Sequence, residues 1–590
     1  MPLKQGLNIV FRILRRFHVG LSVLAVVAVL YDMGFLHATR EDIWLNIFYT
    51  IILAAAIFST ISRYFEHPSR PKFSVILFDL VSVSFFFLLF IEFLFHGKFP
   101  IISQLFHHEA WRISAMFLVF VREVTTLQIV FRRTILNPAQ LFVVSFVSLI
   151  LLGSLILMLP RATVNGISFI DALFTSTSAV CVTGLSVLDT GTGFTYFGQV
   201  ALLVLIQLGG LGIMTFASYF SYFFQGGASY ENQLVLSDMT NSEKLGEVFL
   251  TLKRIITITL IIEATGAFMI YFSLQSSELF NYSERIFFSI FHSVSGFCNA
   301  GFSTLSGSLY EPVFRFNYPL QLIIAALYIV GGIGFPIVFN LLKYLKHLII
   351  KWVNKSIMRR GAFSKPWVIN LNTRIVLITS GILMVTGTLL MFFIEYDNTL
   401  KEHSIPGKMI VAFFNSTTTR TAGFNSVDMS AMHLSTIMIF ILLMFIGASP
   451  ASTGGGIKTS TAAIAVLNFL SLARGKTRIE IYRREIADIS VRRAFAIISL
   501  SLIVTGLAIC LLVSIEPHLS LRDISFECFS AYSTVGLSLG ITAKLSSLSK
   551  LVLIIVMFIG RVSMLSLLIA LMKQTAFKNY RYPTESILIN

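Results

Sequence analysis

Apolar runs of about twenty residues, parted by short basic or polar connections, recur along this chain from end to end. A helix needs roughly 20 such residues to cross ~30 Å of hydrocarbon, so the pattern predicts an all-α integral membrane protein. Runs at 19–36, 43–64, 73–95 and 111–130 form an N-terminal bundle of about four transmembrane helices. Beyond them the long runs alternate with shorter apolar segments, each ending at a glycine. A segment too short to cross is re-entrant, and is tolerated at membrane depth only where protein or water satisfies its backbone.

Four of these segments align without a gap on Gly184, Gly301, Gly423 and Gly536: FTSTSAVCVTGLS, FHSVSGFCNAGFS, FFNSTTTRTAGFN and FECFSAYSTVGLS. Each has a phenylalanine ten residues before the glycine (Phe174, Phe291, Phe413, Phe526) and a hydroxyl six before it (Ser178, Ser295, Thr417, Ser530). A large apolar residue follows (Leu185, Phe302, Phe424, Leu537), then a small polar one (Ser186, Ser303, Asn425, Ser538). The period of roughly 120 residues marks tandem repeats of one unit. The expected fold is four helix–re-entrant loop–helix repeats around one pseudo-fourfold pore, after an N-terminal module at 1–134. The repeats occupy 135–225, 226–370 with a cytoplasmic loop, 371–493 and 494–590 with the C-terminal tail. Their outer helices are placed at 141–159, from about 255, at 375–394 and at 494–515. The re-entrant helices fall at 172–180, 286–297, 409–418 and 523–532, and the inner helices at 196–223, 320–345, from 434 onward and at 551–572. Gly209, Gly210 and Gly212 read as a close-packing face.

The inner helix of the third repeat is interrupted at 446–461 by IGASPASTGGGIKTST. Pro450 removes a helix donor and three successive glycines disfavour helix further. The break reads as an intramembrane loop lining a wet cavity.

Composition agrees: 55% of the 590 residues are hydrophobic and 13% charged, with mean hydropathy +0.81. The formal charge of +16 does not point to nucleic acid. Its lysines and arginines crowd connections such as 343–374 (eight basic, no acidic) and 474–493 (seven basic, three acidic), the mark of cytoplasmic loops. Four cysteines lie in or beside apolar segments without metal spacing and read as buried thiols. The basic residues 1–18 read as the inside end of an uncleaved first helix. Asp79, Arg112, Arg122, Arg132 and Arg133 outline a voltage-sensor bundle, but Arg112, Arg122 and Arg132 are ten residues apart, too far to step through a field. A structural or partner-docking bundle is the expectation.

Backbone carbonyls of four loops can replace the water that a potassium ion sheds. Aiming successive carbonyls at one axis takes conformations that glycine enters freely. The candidate filter is Val182, Thr183 and Gly184; Asn299, Ala300 and Gly301; Thr421, Ala422 and Gly423; Thr534, Val535 and Gly536. The alternative is a transporter whose glycines serve turns while side chains bind the substrate. The candidate gate is Ser452, Thr453, Gly454, Gly455, Gly456 and Lys458 of the loop together with Arg561, which interrupts LVLIIVMFIGRVSML. Arg561 is expected to donate to carbonyls or hydroxyls of 446–461; the alternative is a helix-end anchor. Arg420 either braces its own filter or deters cations from leaving the axis, and Glu263 is either a proton relay or an interhelical hydrogen-bond partner.

At these residues the chain resembles the Trk/Ktr/HKT superfamily of potassium transporters, from about residue 135 onward. DALFTSTSAVCVTGLS, FHSVSGFCNAGFS, NSTTTRTAGFNS and STVGLSLG carry the resemblance. GASPASTGGGIKTST is similar to the gating loop of the KtrB branch, and GRVS at 560–563 to that family's buried inner-helix arginine. The resemblance implies potassium uptake across the plasma membrane (a bacterial inner membrane), a homodimer with one pore per subunit, and a separate cytosolic nucleotide-binding ring of the KtrA or TrkA kind. This chain is expected to hold no organic cofactor, since GGGIKTS lacks the glycine directly before lysine that a Walker loop requires. Glycine at 184 agrees with potassium-selective members, where some sodium-conducting plant relatives carry serine. Rival readings are a sodium- or proton-coupled symporter, a sodium-selective relative, and an intramembrane enzyme, for which no HExxH or GxSxG is present.

Overall fold

The computed structural model describes residues 20–35, 39–66, 73–95, 109–124, 138–212, 248–274, 281–356, 369–564 and 567–568. Helices α1 (Gly20–Gly34), α2 (Thr39–Glu66), α3 (Phe73–Phe95) and α4 (Glu109–Val124) pack around Ala25, Tyr49, Leu53, Phe86 and Met116. Arg122 grips Asp79 with two hydrogen bonds, 2.8 and 2.7 Å. Near the other end of α4, Arg112 lies 3.0 Å from Asp32. Each of these arginines answers its own carboxylate, so α4 is stapled at both ends. The bundle meets the rest of the chain at Gly34, whose carbonyl accepts from the Arg161 N–H at 3.0 Å. Residues 1–18, 125–130, Arg132 and Arg133 lie outside the described residues.

Among the described residues, the helices after α4 fall into four groups, each carrying one of the aligned glycine segments. The first comprises α5 (Pro138–Leu157), α6 (Phe169–Val180) and α7 (Tyr196–Leu211). The second comprises α8 (Val248–Ser273), α9 (Tyr282–Phe297), α10 (Tyr318–Ile333) and α11 (Phe335–Ser356). The third comprises α12 (Leu371–Ile394), α13 (Ile405–Thr418), α14 (Leu434–Phe445) and α15 (Thr459–Ala473). The fourth comprises α16 (Asp488–Ile515), α17 (Leu521–Ser533) and α18 (Ser547–Val562). The short helices α6, α9, α13 and α17 have 12 to 16 residues, about 18–24 Å at 1.5 Å per residue, too little to cross. Each starts at a residue suited to capping: Ser168, Ser404 and Ser520 accept from the third backbone N–H, and Asn281 forms a capping box with Glu284.

The shared motif residues explain how the units interlock. Leu185 and Phe174 of repeat one pack in the apolar cluster of repeat four, with Ile524 and Leu553. Phe302 and Phe291 of repeat two pack in the cluster of repeat one, Phe424 of repeat three in that of repeat two, and Leu537 and Phe526 of repeat four in that of repeat three. Every repeat thus plugs into the one before it, and the circle closes.

Three expectations are corrected. The helix expected at 320–345 breaks at Gly334 (φ 93°, ψ 142°), and α10 and α11 bend by 105°. Repeat three is not alone in breaking: α7 ends at Gly212 (φ 81°, ψ 126°) and α18, expected to run to 572, ends at Ser563 (φ 72°, ψ 130°). The expected remainders of these two, 213–223 and 569–572, lie outside the described residues. Hydropathy windows see no break when apolar sequence resumes beyond a single left-handed residue. Cys510 is exposed on α16, whereas Cys181, Cys298 and Cys528 are buried. The connection 474–493 also folds a small hairpin, β1 (Glu480–Ile481) with β2 (Arg484–Glu485), and Arg374 stacks over its Tyr482 at 4.5 Å.

Candidate functional site

The four glycines meet. A methyl group on Gly184 would collide with the Ala300 carbonyl, one on Gly301 with the Ala422 carbonyl at 2.8 Å, one on Gly423 with the Val535 carbonyl at 2.5 Å, and one on Gly536 with the Thr183 carbonyl. Each glycine therefore abuts the next repeat's loop, from one to four and back to one. All four have positive φ: 93°, 69°, 82° and 92°. Two residues earlier, Val182, Asn299, Thr421 and Thr534 also have positive φ, 58°, 61°, 71° and 50°. In three of the four the sequence gives no signal for this second set, since left-handed backbone is an outlier for valine and threonine; only Asn299 is of a type that enters it readily. Strain of this kind persists where the surroundings over-determine it, and here the helix C-termini do so. Thr183, Ala300 and Val535 donate N–H bonds of 2.7, 2.8 and 2.9 Å to the carbonyls of Ser178, Ser295 and Ser530.

The hydroxyls six residues before the glycines brace the loops in three repeats. Ser178 and Ser530 accept from the N–H of Gly184 and Gly536 at 3.0 and 3.1 Å, and Ser295 donates to the Phe302 carbonyl at 2.7 Å. Thr417 instead bonds the Phe413 carbonyl and Tyr328 hydroxyl, behind the loop. Outside the ring, Gly184, Gly301, Gly423 and Gly536 floor a vestibule of about 420 Å³ that Asp189 and Asp428 also line.

The 446–461 loop lies against the other side of the ring. A methyl on Gly454 would strike the Thr421 hydroxyl, and one on Gly455 the Thr534 hydroxyl. Thr453 donates to Asn299 Oδ1 at 3.0 Å. The loop therefore touches three of the four positions two residues before the glycines. A bridge between Ile446 and Ile457 closes its neck. Lys458 donates to its own loop's carbonyls, Gly454 at 2.7 Å and Gly455 at 3.4 Å, and Ser452 to the Ser449 carbonyl at 2.6 Å. The broken helix of repeat two holds the loop from the side: Ser449 N–H donates to Gly332 at 3.0 Å, and Phe335 N–H to Ala451 at 3.2 Å. Arg561 donates to the Thr453 carbonyl and, at 2.7 and 3.4 Å, to the carbonyls of Gly209 and Gly210. Its contact with the loop matches the expectation, whereas its grip on repeat one has no sequence signal, because an accepting carbonyl belongs to every residue.

The sequence model of the TrkH family, described as cation transport protein, matches residues 107–580. The Ktr system potassium uptake protein B of Bacillus subtilis is 37% identical over 453 residues, covering 76% of this chain and 96% of that protein. The potassium/sodium uptake protein NtpJ of Enterococcus hirae is 35% identical over 465 residues, covering 78% and 98%. The crystal structure of the potassium transporter TrkH from Vibrio parahaemolyticus superposes with a TM-score of 0.58 at 19% identity, covering 84% of this chain and 97% of that one. The chain belongs to the TrkH cation-transport family. It is a multi-pass membrane protein and not an enzyme. Helices α1 to α3 of this TrkH-family protein precede the matched residues.

Two further side chains in this family member make hydrogen bonds to a neighbouring helix. Arg420 donates to the Ser380 hydroxyl on outer helix α12, at 3.1 Å. Glu263 on α8 accepts from Gln207 on α7 at 3.1 Å and lies 3.9 Å from Cys298 Sγ, an interhelical bond. The expected close-packing face on α7 is present: Gly209 abuts the Val180 carbonyl and Gly210 the Cys298 side chain at 2.7 Å. Gly331 and Gly560 abut the equivalent carbonyls, Phe297 and Tyr532, in repeats two and four.

Proposed function

We propose that this TrkH-family chain is a potassium uptake transporter whose filter is the ring of Val182-Thr183-Gly184, Asn299-Ala300-Gly301, Thr421-Ala422-Gly423 and Thr534-Val535-Gly536. The observation that carries the reading is the closed circle of glycine-to-carbonyl contacts between successive repeats, an arrangement able to present main-chain oxygens to one ion. Potassium is the cargo, and the potassium uptake named for the Bacillus and Enterococcus relatives supports it. Inward movement draws on the membrane potential, ~2.3 kcal/mol per charge per 100 mV. The loop from Ser452 to Lys458 is the gate, held shut by Arg561. In this reading residues 1–134 are a separate module, the subunit forms a homodimer in the plasma membrane with one pore each, and a cytosolic nucleotide-binding ring of the KtrA or TrkA kind regulates it.

The name of the Enterococcus relative favours one second reading, in which sodium is carried or coupled. Growth rescue at low potassium of cells lacking their own uptake systems tests the function. Ion-replacement currents of reconstituted protein separate the two readings: a fixed sodium-to-potassium stoichiometry overturns the channel-like one. In the same currents Gly536→Ser or Gly184→Ser, whose side chain must displace a neighbouring carbonyl, is expected to lower the preference for potassium, and an unchanged preference overturns the filter.

A further inference from the structure

The four repeats share a backbone ring but not the side chains behind it. Nine residues before the glycines, at equivalent places on α6, α9, α13 and α17, stand Thr175, His292, Phe414 and Glu527. All four are fully buried. Thr175 spends its hydroxyl on the Asp171 carbonyl of its own helix at 2.9 Å, and Phe414 only fills space. The other two, on opposite sides of the ring, reach forward to the chain leaving the ring.

In repeat two, His292 Nδ1 lies 3.0 Å from the Phe288 carbonyl, and Nε2 lies 2.9 Å from the Ser303 hydroxyl. A carbonyl can only accept, so Nδ1 carries the proton and Nε2 of the neutral ring accepts from Ser303. Ser303, two residues past Gly301, also accepts the Leu305 N–H at 3.1 Å. The imidazole stacks on Phe288 at 3.9 Å and packs 6.3 Å from Phe424, the residue after the next repeat's glycine. In repeat four, the Thr542 hydroxyl donates to Glu527 Oε1 and lies 3.0 Å from Ser538 Oγ, so Thr542 links the carboxyl to Ser538. Ser538, two residues past Gly536, accepts the Gly540 N–H at 3.0 Å. Ser303 and Ser538 both line the vestibule.

Packing alone does not call for these groups. Burying an imidazole or carboxyl is costly unless its hydrogen bonds are returned, and Glu527 Oε2 has no hydrogen-bond partner among the described residues. Phe414 occupies the equivalent site of repeat three without that cost. We propose that His292 and Glu527 are positioning residues of the filter, which aim the ring at Gly301 and Gly536 by fixing Ser303 and Ser538, so that ion selectivity depends on this opposite pair. This rests on the filter reading above, and the experiment separates the two.

The test is the bi-ionic reversal potential, potassium against sodium, of the full chain reconstituted in vesicles. Ser303→Ala and His292→Leu are each expected to lower the permeability ratio by about tenfold, the worth of one buried hydrogen bond. The double variant should do no more than either alone, since both cut one link. Ser538→Ala and Glu527→Leu should also lower the ratio, and Glu527→Gln, which still accepts from Thr542, should retain more of it than Glu527→Leu. Gly423→Ser reports on the ring itself. If it lowers the ratio while the serine variants leave it unaltered, the bracing is wrong and the filter reading stands; if it too has no effect, both fall. Additive His292 and Ser303 effects also overturn the proposal, and should His292→Leu fail to fold, Ser303→Ala and Ser538→Ala decide alone.

Discussion

The N-terminal bundle and the proposed pore each enclose an arginine, and the partners differ in kind. Arg122 is buried against Asp79 in a bidentate pair, so its charge is cancelled where it stands. Arg561 is partly buried, and its hydrogen bonds among the described residues all go to carbonyls, of Thr453, Gly209 and Gly210. A carboxylate partner makes a permanent staple, because separating the pair leaves two charges in a low dielectric. Carbonyl partners hold a cation without neutralising it, and water entering an opened cavity can replace them. The first arrangement suits a bundle that keeps its shape, and the second a latch that lets go.

Asp79→Leu should bring the largest change, stranding Arg122 at a cost on the order of 3–5 kcal/mol. Thermal denaturation in detergent should register it, while potassium flux per folded molecule stays the same; altered flux would show that the bundle controls the pore. Arg561→Ala removes charge-assisted hydrogen bonds worth about 1.5–3 kcal/mol each and should raise flux at least about tenfold. Deleting 453–456 should act in the same direction, and Arg561→Lys, which loses the fork, should fall between. Flux that is unaltered or lower in well-folded protein would remove the latch.

The smallest effect is with acid. Burial alone would raise the Glu395 carboxyl, but bonds from the Thr436 hydroxyl (2.5 Å), His433 N–H (2.9 Å), Asn398 (2.8 Å) and Thr399 (3.0 Å) outweigh it and hold it low. Glu516, at the matching place in repeat four, is held low by the Ser546 hydroxyl and N–H and by Ser549. Each ties the end of an outer helix to the start of its inner helix. A carboxyl lowered in the folded state adds stability that is complete above its unfolded pKa, about 4.3, and lost as pH falls through the folded value. Denaturation temperature should therefore fall below about pH 4, and Glu516→Gln should blunt that fall; a variant with the wild-type acid profile would exclude Glu516 as a source.

Much of the site could be read from residue types because the requirement was local. A backbone that must take positive φ against a neighbour's carbonyl selects glycine, and it stands at all four aligned positions. The loop at 446–461 was visible through Pro450 and three glycines. The breaks at Gly212, Gly334 and Ser563 were not, because one left-handed residue inside apolar sequence leaves hydropathy unchanged, and serine is no marker of it. The hairpin at 480–485 escaped for a similar reason: Tyr482 and Arg483 take positive φ (49° and 62°) in place of the usual Asn-Gly pair.

From the sequence alone came the membrane class, the fourfold repeat, the glycines and the interrupted helix, since each follows from side-chain polarity or backbone freedom within a few residues. The tertiary structure decided the order in which the loops abut, the plugging of each repeat into the one before it, and the partners of Arg561, Thr453, His292 and Glu527. The hydrogen bonds of Arg561 alone join residues up to 352 positions apart, and most of these side-chain links end on main-chain carbonyls or on serines. Such acceptors occur throughout the chain, so only the fold says which one is near.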